Sequence, residues 1–313
     1  MKSFTLFLLC VVAAGSASAQ LQWHNVSAEY GTLPASIKVY RTNDSLNGRP
    51  FIAYYVIANL KNRKLNFSAI TGNGKRYTPT QYYLQNDSPL LVVNSTFFSF
   101  ETNQNLNAIV INDTLRAYNV SALRTKGTDS FYYPTRSAIG ITKRRKADVA
   151  WLFTDTAYPR AYAFQRDPLV VVGKNPDPSF KELKTFAKWR WWRVQTAVGG
   201  GPVLIQNKQI RITNKEEQMF VNGDNDKHPR TAMGYTSGRK LIILVIQGRN
   251  PGVAEGATLR EEAQLLLDLG CVEALNLDGG GSSSMIVNGK QTIKPSDKGA
   301  ERPVPGVFVI SAK

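Results

Sequence analysis

Cysteine, histidine and carboxylate are all scarce in this chain. Its 313 residues include two cysteines and two histidines, and 23 Asp+Glu stand against 39 Lys+Arg. Each shortage excludes something. Cys10 falls in a leader-like N-terminus, so loss of that leader leaves Cys271 alone and no intramolecular disulfide can form. Lying between a helix and an apolar strand, Cys271 reads as a small buried hydrophobe more readily than as a reactive thiol. Two histidines cannot build a histidine-cluster metal site, so no metal ligands and no cofactor are expected, while a divalent metal stays open. Asp224-Asn225-Asp226 suits calcium but lacks the rest of an EF-hand loop. No Gly-x-Ser-x-Gly elbow occurs, which argues against an esterase. Beyond the leader, no apolar run is long enough to span a bilayer as a helix.

The leader has Lys2 as a positive start, Phe4 to Val12 as an apolar stretch, and Ala17-Ser18-Ala19 as a cleavage site. We expect residues 1–19 to be a signal peptide and 20–313 one functional domain, with 20–50 as an N-terminal extension and the core motifs in 90–313. Export to a periplasmic or extracellular location follows, and Leu9 before Cys10 argues against a lipid-anchored form. A net charge of +16 points to anionic partners such as phosphorylated glycans, lipid head groups or envelope polymers. Nucleic acid is disfavoured by the leader and by the lack of any nucleic-acid module signature.

What the chain does have is strand-like pattern. Ile37–Tyr40, Phe51–Ala58, Leu65–Ile70, Leu90–Val93 and Val304–Ile310 read as strands. Thr78–Gln85 and Thr258–Leu269 read as helices, the second opened by the capping box Thr258-Leu259-Arg260-Glu261. The expected class is α+β: mixed twisted sheets flanked by a few helices. An internal repeat sets Arg136–Thr142 against Arg230–Thr236, at an offset of 94 residues. It implies two similar strand–turn–strand units in equivalent parts of one sheet system, unless Arg-Ser/Thr-Ala-x-Gly is simply a good hairpin sequence. Between the copies, Lys181–Lys188 reads as a helix. Lys188–Arg193 reads either as a membrane-surface or glycan-binding segment or as a strand start with Trp192, Val194, Thr196 and Val198 alternating inward.

Three elements suit an anion: Gly199–Pro202, His228-Pro229-Arg230-Thr231 and Asp278–Ser284. Arg230 offers a planar guanidinium for two phosphate oxygens, and Thr231 a hydroxyl. Asn276-Leu277-Asp278-Gly279-Gly280-Gly281-Ser282-Ser283-Ser284 sets a carboxylate at a strand end beside a loop whose N–H groups can form an anion-binding concavity. Such a sequence also fits a turn, but three glycines and three serines exceed what a turn needs. For Glu261 the capping role is sufficient, with a catalytic role as the alternative.

Taken with the Gly256–Ala263 helix start, these motifs resemble the phosphodiester glycosidase domain, over roughly Phe51 to the C-terminus. The chain departs from that family at Val93-Asn94-Ser95-Thr96-Phe97-Phe98, where Val-Asn-Gly-Gly-Phe-Phe is usual, and at Gln247-Gly248-Arg249, where Asp-Gly-Arg is common. The resemblance implies hydrolysis of a sugar-1-phosphodiester at the anomeric carbon–oxygen bond. Arg230, Thr231 and the N–H groups of Gly279, Gly280, Gly281 and Ser282 would hold the departing phosphate. Asp278 would act as base, as nucleophile or as stabiliser of the oxocarbenium-like sugar, with Glu261 as a second carboxylate. Asn94 and Asn276 would orient sugar hydroxyls, and His228, Gly200, Gly201 and Ser283 would complete the substrate-binding set. A non-catalytic protein binding anionic envelope glycans or lipids is the competing reading, and with it a peripheral contact with the envelope.

Overall fold

The computed structural model describes residues 21–168, 170–176, 190–220 and 225–313. The expected leader, the Lys181–Lys188 helix, Trp189 and Asp224 lie outside the described residues. Strands dominate, and two α-helices accompany them among the described residues, so the fold is α+β with few helices.

Three sheets position the site. The first runs His24–Asn25, Ile37–Thr42, Ala53–Asn59, Lys240–Ile246, Arg230–Thr236, Cys271–Asn276, Val203–Gln206, Gln209–Ile210. The second runs Arg190–Trp191, Tyr162–Phe164, Ala147–Phe153, Arg136–Ile141, Thr196–Gly199, Ile109–Ile111, Thr114–Ala117. A third runs Lys290–Gln291, Met285–Val287, Leu91–Asn94, Gly306–Ala312, Leu65–Thr71. One hydrophobic core joins all three: Val56 and Ile243 come from the first, Ile139, Trp151 and Val198 from the second, and Val93 and Phe308 from the third. Continuous apolar runs such as Leu241–Ile246 are buried on both faces, which is why they do not alternate. The Phe51–Ala58 expectation shifts to Ala53–Asn59 because pairing of Ile246 with Ala53 sets its register.

Both helices start as their sequences predict. In α1 (Pro79–Gln85) and α2 (Leu259–Asp268), the Thr78 and Thr258 hydroxyls accept from the N–H three residues on, and the Gln81 and Glu261 side chains return the bond. Each cap contributes about 1 kcal/mol. The buried stripe of α2 includes Leu259, Ala263 and Leu266, and also Glu262, a fully buried carboxylate at a position the period reserves for an apolar residue. Neither Glu262 oxygen accepts a hydrogen bond, and burial pushes its pKa up to about 8 against the opposing pull of Arg230.

The repeat is real in three dimensions, but its copies occupy corresponding places in two sheets, not one. Arg136–Ile141 pairs with Ala147–Phe153 and Thr196–Gly199; Arg230–Thr236 pairs with Lys240–Ile246 and Cys271–Asn276. Gly200 N–H donates to Ser137 O at 2.9 Å, and Leu277 N–H donates to Thr231 O at 2.7 Å, the same bond in each copy. The two hairpin turns also touch, since the Arg239 guanidinium donates to the carbonyls of Arg144 and Arg145. By this correspondence Gly201 stands where Asp278 stands in the other copy. The space its side chain would fill holds Glu217, because a Cβ on Gly201 would lie 2.7 Å from Glu217 Oε2. Fully buried, Glu217 accepts from Ser137 N–H and hydroxyl, Trp151 Nε1, Val203 N–H and the Thr213 hydroxyl.

Candidate active site

Asp278 lies just past the end of Cys271–Asn276 and is fixed by three parts of the chain. Its N–H donates to Ser95 O at 2.8 Å, its carbonyl accepts from Asn94 Nδ2, and the preceding Leu277 is bonded to Thr231. Its carboxylate is half-buried in the wall of a cleft of about 460 Å³. Burial pushes its pKa up to about 7, and the Ser282 hydroxyl, Arg302 and the Gly279 N–H only partly offset that. At neutral pH this carboxyl therefore divides between its two protonation states.

Three guanidiniums, those of Arg230, Arg249 and Arg302, line the same cleft, with the His228 imidazole beside them. Arg230 is buried, its Nε donating to Ala257 O and its Nη2 to Asp226 O, both at 2.9 Å, so its direction is fixed. Arg302 is aimed by a 2.8 Å bond to Asp297 and reaches the Ser282 hydroxyl at 3.4 Å. A Cβ on Gly281 would sit 2.2 Å from the Arg302 guanidinium, so only glycine there lets that group close on the loop. Arg249 stands 3.5 Å from His228 Nδ1. Burial, then Arg230 and Arg249, hold the His228 imidazole below its usual pKa, leaving it neutral at pH 7. Met219 and the edge-to-face pair Phe97 and Phe220, with ring centroids 5.8 Å apart, complete an apolar side. A cleft with two aspartates, three guanidiniums and an aromatic wall is suited to a ligand that is part sugar and part anion.

Several expected ligand-binding residues lie beneath the cleft instead of in it. Thr231 is fully buried and donates to Asn94 Oδ1 at 2.9 Å, with Ser283 Oγ at 3.2 Å. Asn94 also accepts from Ser284 N–H, so Asn94, Thr231 and Ser283 hold the loop and are not free to meet a sugar or phosphate. Gly200 and Gly201 are spent likewise: their N–H groups donate to Ser137 O and Asn276 O. Their lack of side chains admits the neighbouring strand, since a Cβ on Gly200 would lie 2.4 Å from Asn276 O. The expected backbone cradle is largely occupied too. Gly280 N–H donates to Pro229 O, Ser282 N–H to Gly279 O, and the Gly279 N–H turns to Asp278 itself.

Glu261 lies outside the cleft lining. Its oxygens accept from Thr258 N–H and Asn47, and Lys227 stands 3.3 Å away. Burial pushes this carboxyl up, but those donors and Lys227 outweigh it and hold it below its ordinary pKa. It is a cap, and the catalytic alternative is not supported by its position. Asn276 does line the cleft, donating to Gly201 O at 2.8 Å while its Oδ1 stays buried without a partner. Cys271 is buried, with burial pushing its thiol up to about 12, as an inert hydrophobe requires. No group of three potential metal ligands occurs among the described residues.

Arg249, Arg302, Phe97 and Phe220 escaped the sequence reading. Arg249 carried a signal, the Gln-Gly-Arg triplet, whereas nothing local marks Arg302.

Comparison with known proteins adds a lineage. A family model for phosphodiester glycosidase matches residues 154–311, about half of the chain. N-acetylglucosamine-1-phosphodiester alpha-N-acetylglucosaminidase of Bos taurus is 40% identical over 102 residues, which are 32% of this chain and 19% of that one. An uncharacterized SPbeta prophage-derived protein, YomE of Bacillus subtilis, is 42% identical over 87 residues, 28% of this chain and 13% of its own. The matched stretch thus spans less than a fifth of either relative. In three dimensions, the catalytic domain of the zebrafish N-acetylglucosamine-1-phosphodiester alpha-N-acetylglucosaminidase, auto-inhibited by its pro-peptide, superposes with a TM-score of 0.59. That match covers 93% of this chain and 88% of that domain at 19% identity. A hypothetical protein from Synechocystis superposes with a TM-score of 0.60 at 16% identity, covering 94% of this chain and 68% of its own. These two show a shared fold.

Proposed function

Because this chain belongs to the phosphodiester glycosidase family, we propose that it hydrolyses a sugar-1-phosphodiester at the anomeric carbon–oxygen bond after export from the cell. The observation carrying this reading is the meeting of Asp278 with Arg230, Arg249 and Arg302 in one cleft. Ordinary glycosidases use two carboxyl groups, one of them to protonate an alkoxide leaving group. Two aspartates line this cleft: Asp278 beside Ser282 and Arg302, and Asp226 whose charge acts on His228. A single carboxylate suffices if the leaving group is a phosphomonoester, whose second pKa is about 6. Such a group departs as an anion, and what it needs is positive charge held ready where that anion develops.

In this mechanism the guanidiniums of Arg302 and Arg249 hold the phosphate, with Arg230 fixed behind them. The ionised Asp278 acts as base toward water or as nucleophile at C1. Phe97 and Phe220 pack on the apolar face of the sugar, and Asn276 Oδ1 accepts from a sugar hydroxyl. The reading that Asp278 works ionised fixes a pH dependence. With a pKa of about 7 in the free protein, kcat/KM should rise through pH 7 and level off above it. A profile that instead falls through this range would make Asp278 a proton donor. Arg302→Gln should lower kcat/KM by about a hundredfold and move the rising limb to higher pH, because Arg302 favours the ionised form.

The decisive test of the reaction is hydrolysis of a panel of sugar-1-phosphodiesters in ¹⁸O-water. Label entering the sugar and not the phosphate supports anomeric cleavage. Label in the phosphate makes the protein a phosphodiesterase, and saturable binding without turnover makes it a binding protein.

A further inference from the structure

A second cavity, of about 880 Å³, lies away from the catalytic cleft and shares none of its lining residues. We propose that this cavity, beside Tyr118, is a binding site for a neutral oligosaccharide. Of its lining residues only Arg116 and Asp155 carry charge, and they are of opposite sign. In a chain of net charge +16 such a neutral patch stands apart, and it offers no cluster of cations to a polyanion. Its remaining surface is dominated by planar amides and hydroxyls, among them Asn73, Asn103, Gln104 and Ser121, beside the half-buried rings of Tyr118 and Phe153. Amides pair with neighbouring hydroxyls, and rings cover the C–H faces of pyranoses, which is the chemistry a neutral glycan requires.

The floor is preorganised. Asn119 is buried, its Oδ1 accepting from Ala108 N–H at 2.8 Å, its Nδ2 donating to Leu152 O at 3.0 Å, and its N–H donating to the Thr154 hydroxyl at 2.9 Å. A site already in its bound shape loses little entropy on binding. Peptide capture by strand addition is disfavoured at this edge, because Leu115 N–H of the Thr114–Ala117 strand already donates to Pro159 O. The hairpin from Phe97 to Leu106, closed by Leu106 N–H donating to Phe97 O, is a wall of both cavities: Phe97 faces the catalytic cleft, and Asn105 and Leu106 face this one.

The test is titration of the full chain with neutral tri- and tetrasaccharides of glucose, galactose, mannose and N-acetylglucosamine, followed by calorimetry and by NMR. At least one should bind saturably below about 10 mM, with an affinity that does not fall between low and high salt. Tyr118→Ala should weaken it by about tenfold or more. Because Tyr118 also packs against the core, the exposed Ser121→Arg serves as a second, occluding variant that leaves the fold intact. Asp278→Asn should bind as wild type does, so the result is independent of the catalytic reading. Lack of binding by every member of the panel, binding abolished by salt, or binding that survives Ser121→Arg but is lost in Asp278→Asn would overturn the assignment. Saturable binding of an extended peptide in place of any saccharide would overturn it as well.

Discussion

Asp278→Asn should lower kcat on a sugar-1-phosphodiester by about 10³-fold or more while the protein stays folded and still binds substrate. The variant keeps the shape of the side chain and its bond to Ser282, but it removes the ionised oxygen that the reaction uses. Its backbone anchors, Asn94 and Ser95, are untouched, so circular dichroism and melting temperature should match wild type. KM should change much less than kcat, because the Arg302 and Arg249 guanidiniums that hold the phosphate remain. Full activity in a folded Asp278→Asn protein would remove this carboxylate from the mechanism.

The second large effect concerns stability. Glu217→Ala should cost about 3–5 kcal/mol, a fall of roughly 10 °C in Tm. Glu217 is fully buried and receives five donors from Ser137, Trp151, Val203 and Thr213. Alanine would leave four of them without an acceptor in a dry interior, Val203 N–H keeping only the Thr213 hydroxyl, and would strip the compensating charge from buried Arg136, whose pKa burial already lowers to about 10. Thermal unfolding measures this directly; a change below about 1 kcal/mol would mean that water enters and replaces the carboxylate.

Glu217 also marks the boundary of what could be read from sequence. It sits in the polar run Asn214-Lys215-Glu216-Glu217-Gln218, which looks like solvated surface, and nothing local says that four donors from the strands of Ser137, Trp151 and Val203 converge on it. The helices were legible because capping boxes are local, and the strands because apolar runs and alternation are local. Asp278 and Arg230 were legible as candidates because a carboxylate or guanidinium beside turn-forming residues at a strand end is unusual. Whether a polar residue faces the ligand or the interior was not legible. Asn94, Thr231 and Ser283 have the right chemistry to meet a sugar, yet they bond to one another because the third sheet packs Leu91–Asn94 against the loop. Arg302 shows the converse. Its guanidinium is held at the cleft by Asp297, five residues earlier, together with the Ser282 hydroxyl and the Phe100 ring, and such contacts in a loop leave no periodic trace.

The interleaved strand order has a consequence for dissection of the molecule. In the third sheet, Leu91–Asn94 is the plank between Met285–Val287 and Gly306–Ala312, and in the first, Ala53–Asn59 flanks Lys240–Ile246 on the side away from Arg230–Thr236. A polypeptide starting at residue 154, where the family match begins, would have Asp278 and Arg230 but not the planks that seat them. The two ends of the chain are woven into the same sheets, so the site belongs to the weave as a whole and cannot be carried by its C-terminal half.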